Sequence, residues 1–556
     1  MATRLRFIAV LVTLALVGAA CTSKSGTTSG TNNMVEGGTL RVGTSSTIDS
    51  LNPFVAFQAN AYLFWQYSYP YLGQYDAQNN LVPYWASSWT GSSDGLTWTF
   101  QLPANTKWSD GQPLTASDAA FSFNTVIKWQ NTVTVNWGSN VTNMKDAVAT
   151  SPTTLVIHYS KPSGNALSQM LTLPILPQHI WGQYATGDGK ALKTFKNAPE
   201  GGQPVVAGGP FMLVEYKKDQ IALLKRNPNW WGTPKPHIDG FGIEIFSNDD
   251  AMITAFKNGQ LDAVENIPTT DVKVLQSAGF KLNITPGVFF YDFIINSSPQ
   301  KLQHRELLNP TVRLAFDYAF DRQQIIDTAL SGYGAVGGAF IPPATGKWYD
   351  PSIKPVPFDL NKANQLLDSL GYKKGSDGIR TAEGHPMAYT VVIPTSRQGP
   401  LTRTFQVMQP DFKQIGVQLT LKVLDPDAMF AAETANNYRN FDLGMWDWIP
   451  GVDPSYILSV LMCNQFGQNN DPGYCDHSYD DLWKQQASTV DQQQRLQIVY
   501  QMQKMIFDTR AYIILNYPDV IDVYNPRTWG GFVNEEGFGI FTTNSTQSLL
   551  GVHQVG

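Results

Sequence analysis

Cysteine is nearly absent: three in 556 residues. Two of them, Cys463 and Cys475, share one short stretch, so no multi-disulfide scaffold holds this chain and its cores must be apolar. Charge is sparse too. Lys, Arg, Asp and Glu make up 15% of the residues, and the net charge of −6 comes without a basic block, which excludes a nucleic-acid partner. Long apolar runs are missing after the N-terminus, which excludes a later membrane span. His158, His179, His237, His304, His385, His477 and His553 are scattered along the chain. No HExxH and no Walker loop occurs; the letters GxSxG (Gly91 to Gly95) and GxGxxG (Gly332 to Gly337) each appear once, and neither leads from a strand into an expected helix. Hydrolytic and nucleotide chemistry therefore have no local anchor, no cofactor or metal is expected, and the chain does not read as an enzyme. Acidic pairs such as Asp249-Asp250 and Asp480-Asp481 read as charge at helix N-termini.

Aromatics, by contrast, are plentiful at 12%, with 15 Trp and 23 Tyr. Most serve as core fillers, but the number leaves room for an aromatic-lined cleft. The length exceeds what one hydrophobic core supports, so two or three domains are expected. Residues 1–21 read as a targeting segment: Arg4 and Arg6, the apolar run Phe7 to Val17, then Gly18-Ala19-Ala20-Cys21. That ending resembles a bacterial lipobox, with Gly18 where leucine is usual, and marks Cys21 for lipidation. An ordinary signal peptide is the alternative. Residues 22–36, rich in Ser, Thr and Gly, read as a flexible tether that leaves the body anchored to a membrane surface and not spanning it. Export favours a Cys463–Cys475 disulfide, worth about 3 kcal/mol or less for so short a loop. A metal site with His477 is the rival, and it lacks a fourth ligand at motif spacing.

Periodicity gives a mixed α/β chain with more than one sheet. Leu96, Trp98, Phe100 and Leu102 alternate as in a half-buried strand, and Thr115 with Asp118 forms a capping box. Gly208 to Gly232 reads as a hairpin. Val312 to Leu330 reads as one amphipathic helix, and a later helix is expected to break at Pro410. The stretch MWDWIPGVDP, Met445 to Pro454, sets two tryptophans around a carboxylate before a proline turn, a mixture that suits a ligand better than a core.

Several ordered blocks match one family. LVPYWASSWTGSSDGLTWTFQLPANTKWSDGQPLTASDAAFSF, GGPFMLVEY with NPNWWG, TAFKNGQLDAV, RLAFDYAFDRQQI and QLLDSLGY together resemble the extracellular solute-binding proteins of ABC importers, oligopeptide/dipeptide class, family 5. The resemblance covers Gly37 to about Gly531. It implies a two-lobed, three-domain periplasmic-binding-protein fold. Lobe I would comprise 37–74, 204–290 and 525–556, a small inserted domain 75–203, and lobe II 291–524. Hinge connections would lie near Tyr291 and Tyr524, with ligand held in the interlobe cleft. It also implies a monomer that hands its solute to permease subunits.

In peptide-binding relatives a W-x-x-D-x-x-D-P segment lies in the cleft, pairs with the peptide backbone, and offers its first aspartate to the α-ammonium. Trp446 and Asp453-Pro454 match, with one extra residue between them, but Ile449 stands where that aspartate belongs. Asp447 is the nearest substitute, on the opposite strand face from Trp446 and Trp448. Arg397, in VVIPTSRQGP, is the candidate for a peptide carboxylate. Phe54, Gln58 and Trp65 are the candidates from the first lobe. Peptide is the expected solute. Oligosaccharide stacked on Trp446 and Trp448 is the alternative, and an exported hydrolase or a metal or haem carrier would be a different class.

Overall fold

The computed structural model describes residues 34–56, 58–435 and 437–556. The targeting segment, Cys21 and most of the tether lie outside the described residues.

A single large sheet runs through the molecule. Its order is Gln418–Leu424, Ala388–Pro394, Leu443–Trp448, Phe290–Ile295, Tyr512–Tyr524, Ala263–Val264, Thr39–Thr44, Gly240–Ile245, Ile221–Arg226 and Phe211–Lys217. The 13-residue strand Tyr512–Tyr524 belongs to both halves. Its first part pairs with Phe290–Ile295 and its last part with Ala263–Val264 and Lys281–Pro286. The strands on either side form two lobes, and the chain crosses between them here and again just before Phe290.

A second sheet, four antiparallel strands between Ser88 and Tyr159, packs under helix Ala116–Trp129. The capping box starts that helix: Thr115 accepts from Ser117 N, and Asp118 returns to Thr115 N at 2.9 Å. Phe100 and Leu102 are buried while Trp98 is half-buried. The hairpin forms as Phe211–Lys217 and Ile221–Arg226.

Two helix expectations need correction. Val312 to Leu330 is not one helix but two, Pro310–Tyr318 and Arg322–Ala329. Asp321 accepts from Gln324 N at 2.9 Å, so an N-cap inside the periodic stretch restarts the helix. Helix Gln398–Gln414 runs through Pro410 without ending. Its packed face, Leu401, Phe405, Met408 and Phe412, holds it across the missing donor.

In lobe II, strand parity divides the core. Tyr291, Phe293 and Met445 point to one face of the sheet, and Phe290, Ile294 and Tyr512 point to the other. Helices cover both faces. That division also sorts the polar residues of the site.

Candidate functional site

MWDW forms the end of strand Leu443–Trp448. One edge pairs with Phe290–Ile295 as far as Phe290 opposite Trp448. On the other edge the ladder to Ala388–Pro394 covers only Leu443 and Gly444. Beyond Gly444 the two chains diverge, and among the described residues no strand pairs with that edge. Arg397 stands in the turn that follows Ala388–Pro394. Its Nε donates to Asp447 Oδ2 at 3.0 Å, with the arginine side chain 40% exposed and the aspartate 9%. Asp447 lies on the Tyr291 face, as alternation requires. The two groups expected to meet opposite ends of a peptide therefore meet each other.

The opposite face is acidic, and among the described residues no arginine or lysine pairs with its acids. Asp292, directly across from Trp446, is fully buried. Its Oδ1 accepts from Trp446 N at 3.2 Å, while its Oδ2 has no partner. Asp471 Oδ2 accepts from Trp448 Nε1 and from Tyr512 Oη, each at 3.0 Å. Glu433, from helix Pro426–Thr434, is buried with Oε1 unpartnered, and a side chain at Gly444 would come within 3.2 Å of that oxygen. Burial, then mutual repulsion, holds Asp292 and Glu433 far above the usual carboxylate range. Burial pushes Asp471 up to about 7 against the two hydrogen bonds it accepts. Trp446 and Trp448 are half-buried on this face, and Tyr456 stands exposed beside Trp448.

Past the strand, Ile449 is exposed, Pro450 is buried and Gly451 turns the chain at φ 74°. Asp453 then meets Arg495 bidentately, both contacts at 2.8 Å. Arg495 is buried, and its guanidinium lies 4.7 Å from the centre of the Trp348 ring. Arg495 Nη1 also donates to Gly164 O at 3.3 Å, and Gly164 N donates to Ala487 O at 2.8 Å. A Cβ on Gly164 would fall 2.4 Å from Thr489 O, so only glycine permits this approach. Asp453 thus ties the site segment to the region carrying the four-stranded sheet, and both its oxygens are committed to Arg495.

From the first lobe, Phe54 and Trp65 are core residues. Phe54 packs edge-on against Trp181, and Trp65 Nε1 donates to Leu51 O at 3.0 Å. Gln58 is half-buried before helix Ala59–Ser68, its N–H given to Asp49 Oδ1 at 3.1 Å. Tyr62, on the same helix, packs against Trp65 and Trp137, ring centres 4.8 and 5.5 Å away. Its hydroxyl is pushed up to about 12, by burial first and then by Tyr456 and Asp49. Cys463 and Cys475 are joined, with sulfurs 2.10 Å apart.

Sequence reasoning missed Asp292, Glu433, Asp471 and Arg495. One signal was available for Asp292: a carboxylate inside the apolar run Phe289 to Ile295 has no solvent face to turn to. Chemically, the site offers an open strand edge, an Arg–Asp pair, flat aromatic faces and unneutralised acid. Among the described residues it offers no nucleophile held by a base.

Residues 80–470, more than half of the chain, match the family profile "Bacterial extracellular solute-binding proteins, family 5 Middle". Protein XP55 of Streptomyces lividans is 26% identical over 550 residues, covering 96% of this chain and 92% of XP55. The nickel-binding periplasmic protein of Escherichia coli is 26% identical, covering 86% and 89%. The oligopeptide-binding protein AppA of Bacillus subtilis, solved with a nonapeptide, superposes with TM-score 0.77 at 20% identity, covering 94% of this chain and all of that one (100%). The chain belongs to the family 5 extracellular solute-binding proteins of ABC importers, a family of binding subunits and not of enzymes.

Proposed function

We propose that this protein is the lipid-anchored, monomeric peptide-capturing subunit of its importer. The observation that carries the reading is the strand edge left open beyond Gly444, beside Arg397 and Asp447. An extended peptide adds there as a strand, its backbone bonding the edge while its side chains alternate outward. A peptide α-ammonium seeks carboxylate, because desolvating it alone is prohibitive. Asp447 is the nearest candidate and Arg397 serves the peptide carboxylate. Asp292, Glu433 and Asp471 stand behind them as acids without a cationic partner, which a bound ammonium would draw toward the charged form. The lobes close about the crossings before Phe290 and within Tyr512–Tyr524, with 75–203 as the small third domain. The Cys463–Cys475 bond fixes the loop that carries Asp471.

A second reading has its own observation. Trp446 and Trp448 present half-buried rings beside the exposed Tyr456, which suits sugar rings. Nickel capture at this cleft has less support: the described three-residue groups close enough to share an ion do not include its acids.

Isothermal titration with an extended peptide, its N-acetylated form and a matched oligosaccharide tests the reading. Acetylation is expected to weaken binding about tenfold or more, one charge-assisted bond. Equal affinity for both peptide forms, or tighter sugar binding, would overturn the peptide reading.

A further inference from the structure

The scattered histidines are not all apart in space. His304 and His385 meet edge-to-face, ring centres 4.8 Å apart, with Glu306 between them. His304 Nδ1 lies 3.2 Å from Glu306 Oε1, and His385 Nε2 lies 3.7 Å from Glu306 Oε2. One ligand atom from each of the three residues falls within 4.8 Å of the other two. Metal bonds of about 2.0–2.2 Å at tetrahedral angles set ligand atoms about 3.4 Å apart, so the two measured contacts straddle that spacing.

The surroundings look prepared for more than an ion pair. The Glu306 side chain is fully buried, and its Oε2 has no hydrogen-bond partner. The Nδ1 atom of His385 is buried and unpartnered as well. Tyr389 Oη donates to Glu306 Oε1 at 2.8 Å, fixing the carboxylate as an outer partner does around a metal. His304 adopts φ 53°, a left-handed conformation uncommon outside glycine, and it is this turn that sets the imidazole beside Glu306. Lys301 is drawn aside by Asp442 Oδ1 at 2.7 Å and by the Phe441 carbonyl.

The place is far from the cleft. His385 sits in the Thr381–Pro386 hairpin, ahead of strand Ala388–Pro394, whose other end leads to Arg397. Seven strand residues separate the two ends by ~20 Å.

We infer that His304, Glu306 and His385 form a site for one divalent first-row transition ion of the zinc class, at the outer end of lobe II. Two imidazoles and one carboxylate suit that class, and three protein ligands leave a position for water. The bound ion pins the Thr381–Pro386 hairpin to the Arg305–Leu308 turn, so it steadies the lobe and is not the transported solute.

The test uses the full chain, purified without an affinity tag, stripped with EDTA and titrated calorimetrically with Zn²⁺. One Zn²⁺ per chain is expected. H304A and H385A should each weaken it about tenfold or more, and Zn²⁺ should raise the melting temperature of the wild type but not of either variant. His385 is 36% exposed, so H385A should fold, which circular dichroism checks. H477A, beside the disulfide, should bind like the wild type. Co²⁺ provides a second reading: an intense visible band reports a four-coordinate site and should vanish in H385A. A wild type that takes up no Zn²⁺, or an H304A or H385A variant that binds it unchanged, would overturn the inference.

Discussion

Five carboxylates surround one strand, and they divide into two kinds. Asp447 and Asp453 each hold an arginine. Asp292, Glu433 and Asp471 hold none, although Asp292 and Glu433 are the more deeply buried. Burial alone would push the Asp453 carboxyl up, but the Arg495 guanidinium outweighs it and holds the group below its usual range. The unpaired ones are held toward the neutral form, because no cation outweighs their burial. The first kind fixes geometry. The second stores an unmet demand for positive charge, which a cationic ligand can fill.

The comparison breaks most visibly at Arg495. R495A leaves the largely buried Asp453 without its cation and cuts the bond to Gly164 O, so a loss of about 3 kcal/mol is expected in urea unfolding. The corresponding cut at Arg397 should cost stability little, about 1 kcal/mol or less, since that side chain is 40% exposed. Equal losses from R495A and R397A would show that burial does not separate the two pairs.

Next in size is the pH dependence of the unpaired acids. The carboxyl of Asp471 rises from 3.8 in the unfolded chain to about 7 in the folded one. The folded state therefore binds the extra proton between those values, and this group's contribution to stability is lost as pH rises from 3.8 through 7. D471N should stabilise the protein by about 1 kcal/mol or more above neutrality and by nothing at the acid end. A gain independent of pH would mean that Asp471 does not titrate in this window. The same ionisation governs binding: affinity for a peptide with a free α-ammonium should rise through neutrality, and for its acetylated form should stay flat.

Much of the fold was legible in the sequence, because local chemistry dictates it. The capping box at Thr115 and the hairpin before Asn227 both form as their residues require. The break at Asp321 was hidden, since an apolar period carries through a cap without a change of phase. At the site, alternation put Asp447 opposite the tryptophans. The Asp453–Arg495 pair and the Asp292, Glu433 and Asp471 grouping join residues remote in the chain, and no motif spacing marks them. Phe54 and Trp65 went to the core because an aromatic near a cleft and one beneath it read alike in the sequence.

The smallest expected effect sharpens the comparison most. W448F keeps an aromatic face, though a smaller one, and removes the Nε1–H that donates to Asp471 Oδ2 at 3.0 Å. That bond lowers the proton affinity of Asp471, so its loss should move the midpoint of the pH–stability curve upward, with a change near neutrality of ~1 kcal/mol. Tyr512 still donates to the same oxygen, which keeps the shift modest. The D471N background should abolish the shift altogether, because the proton it reports is gone. If W448F moves the midpoint equally in D471N, the titrating group is Asp292 or Glu433, and the unmet charge sits deeper in the lobe than the tryptophans can reach.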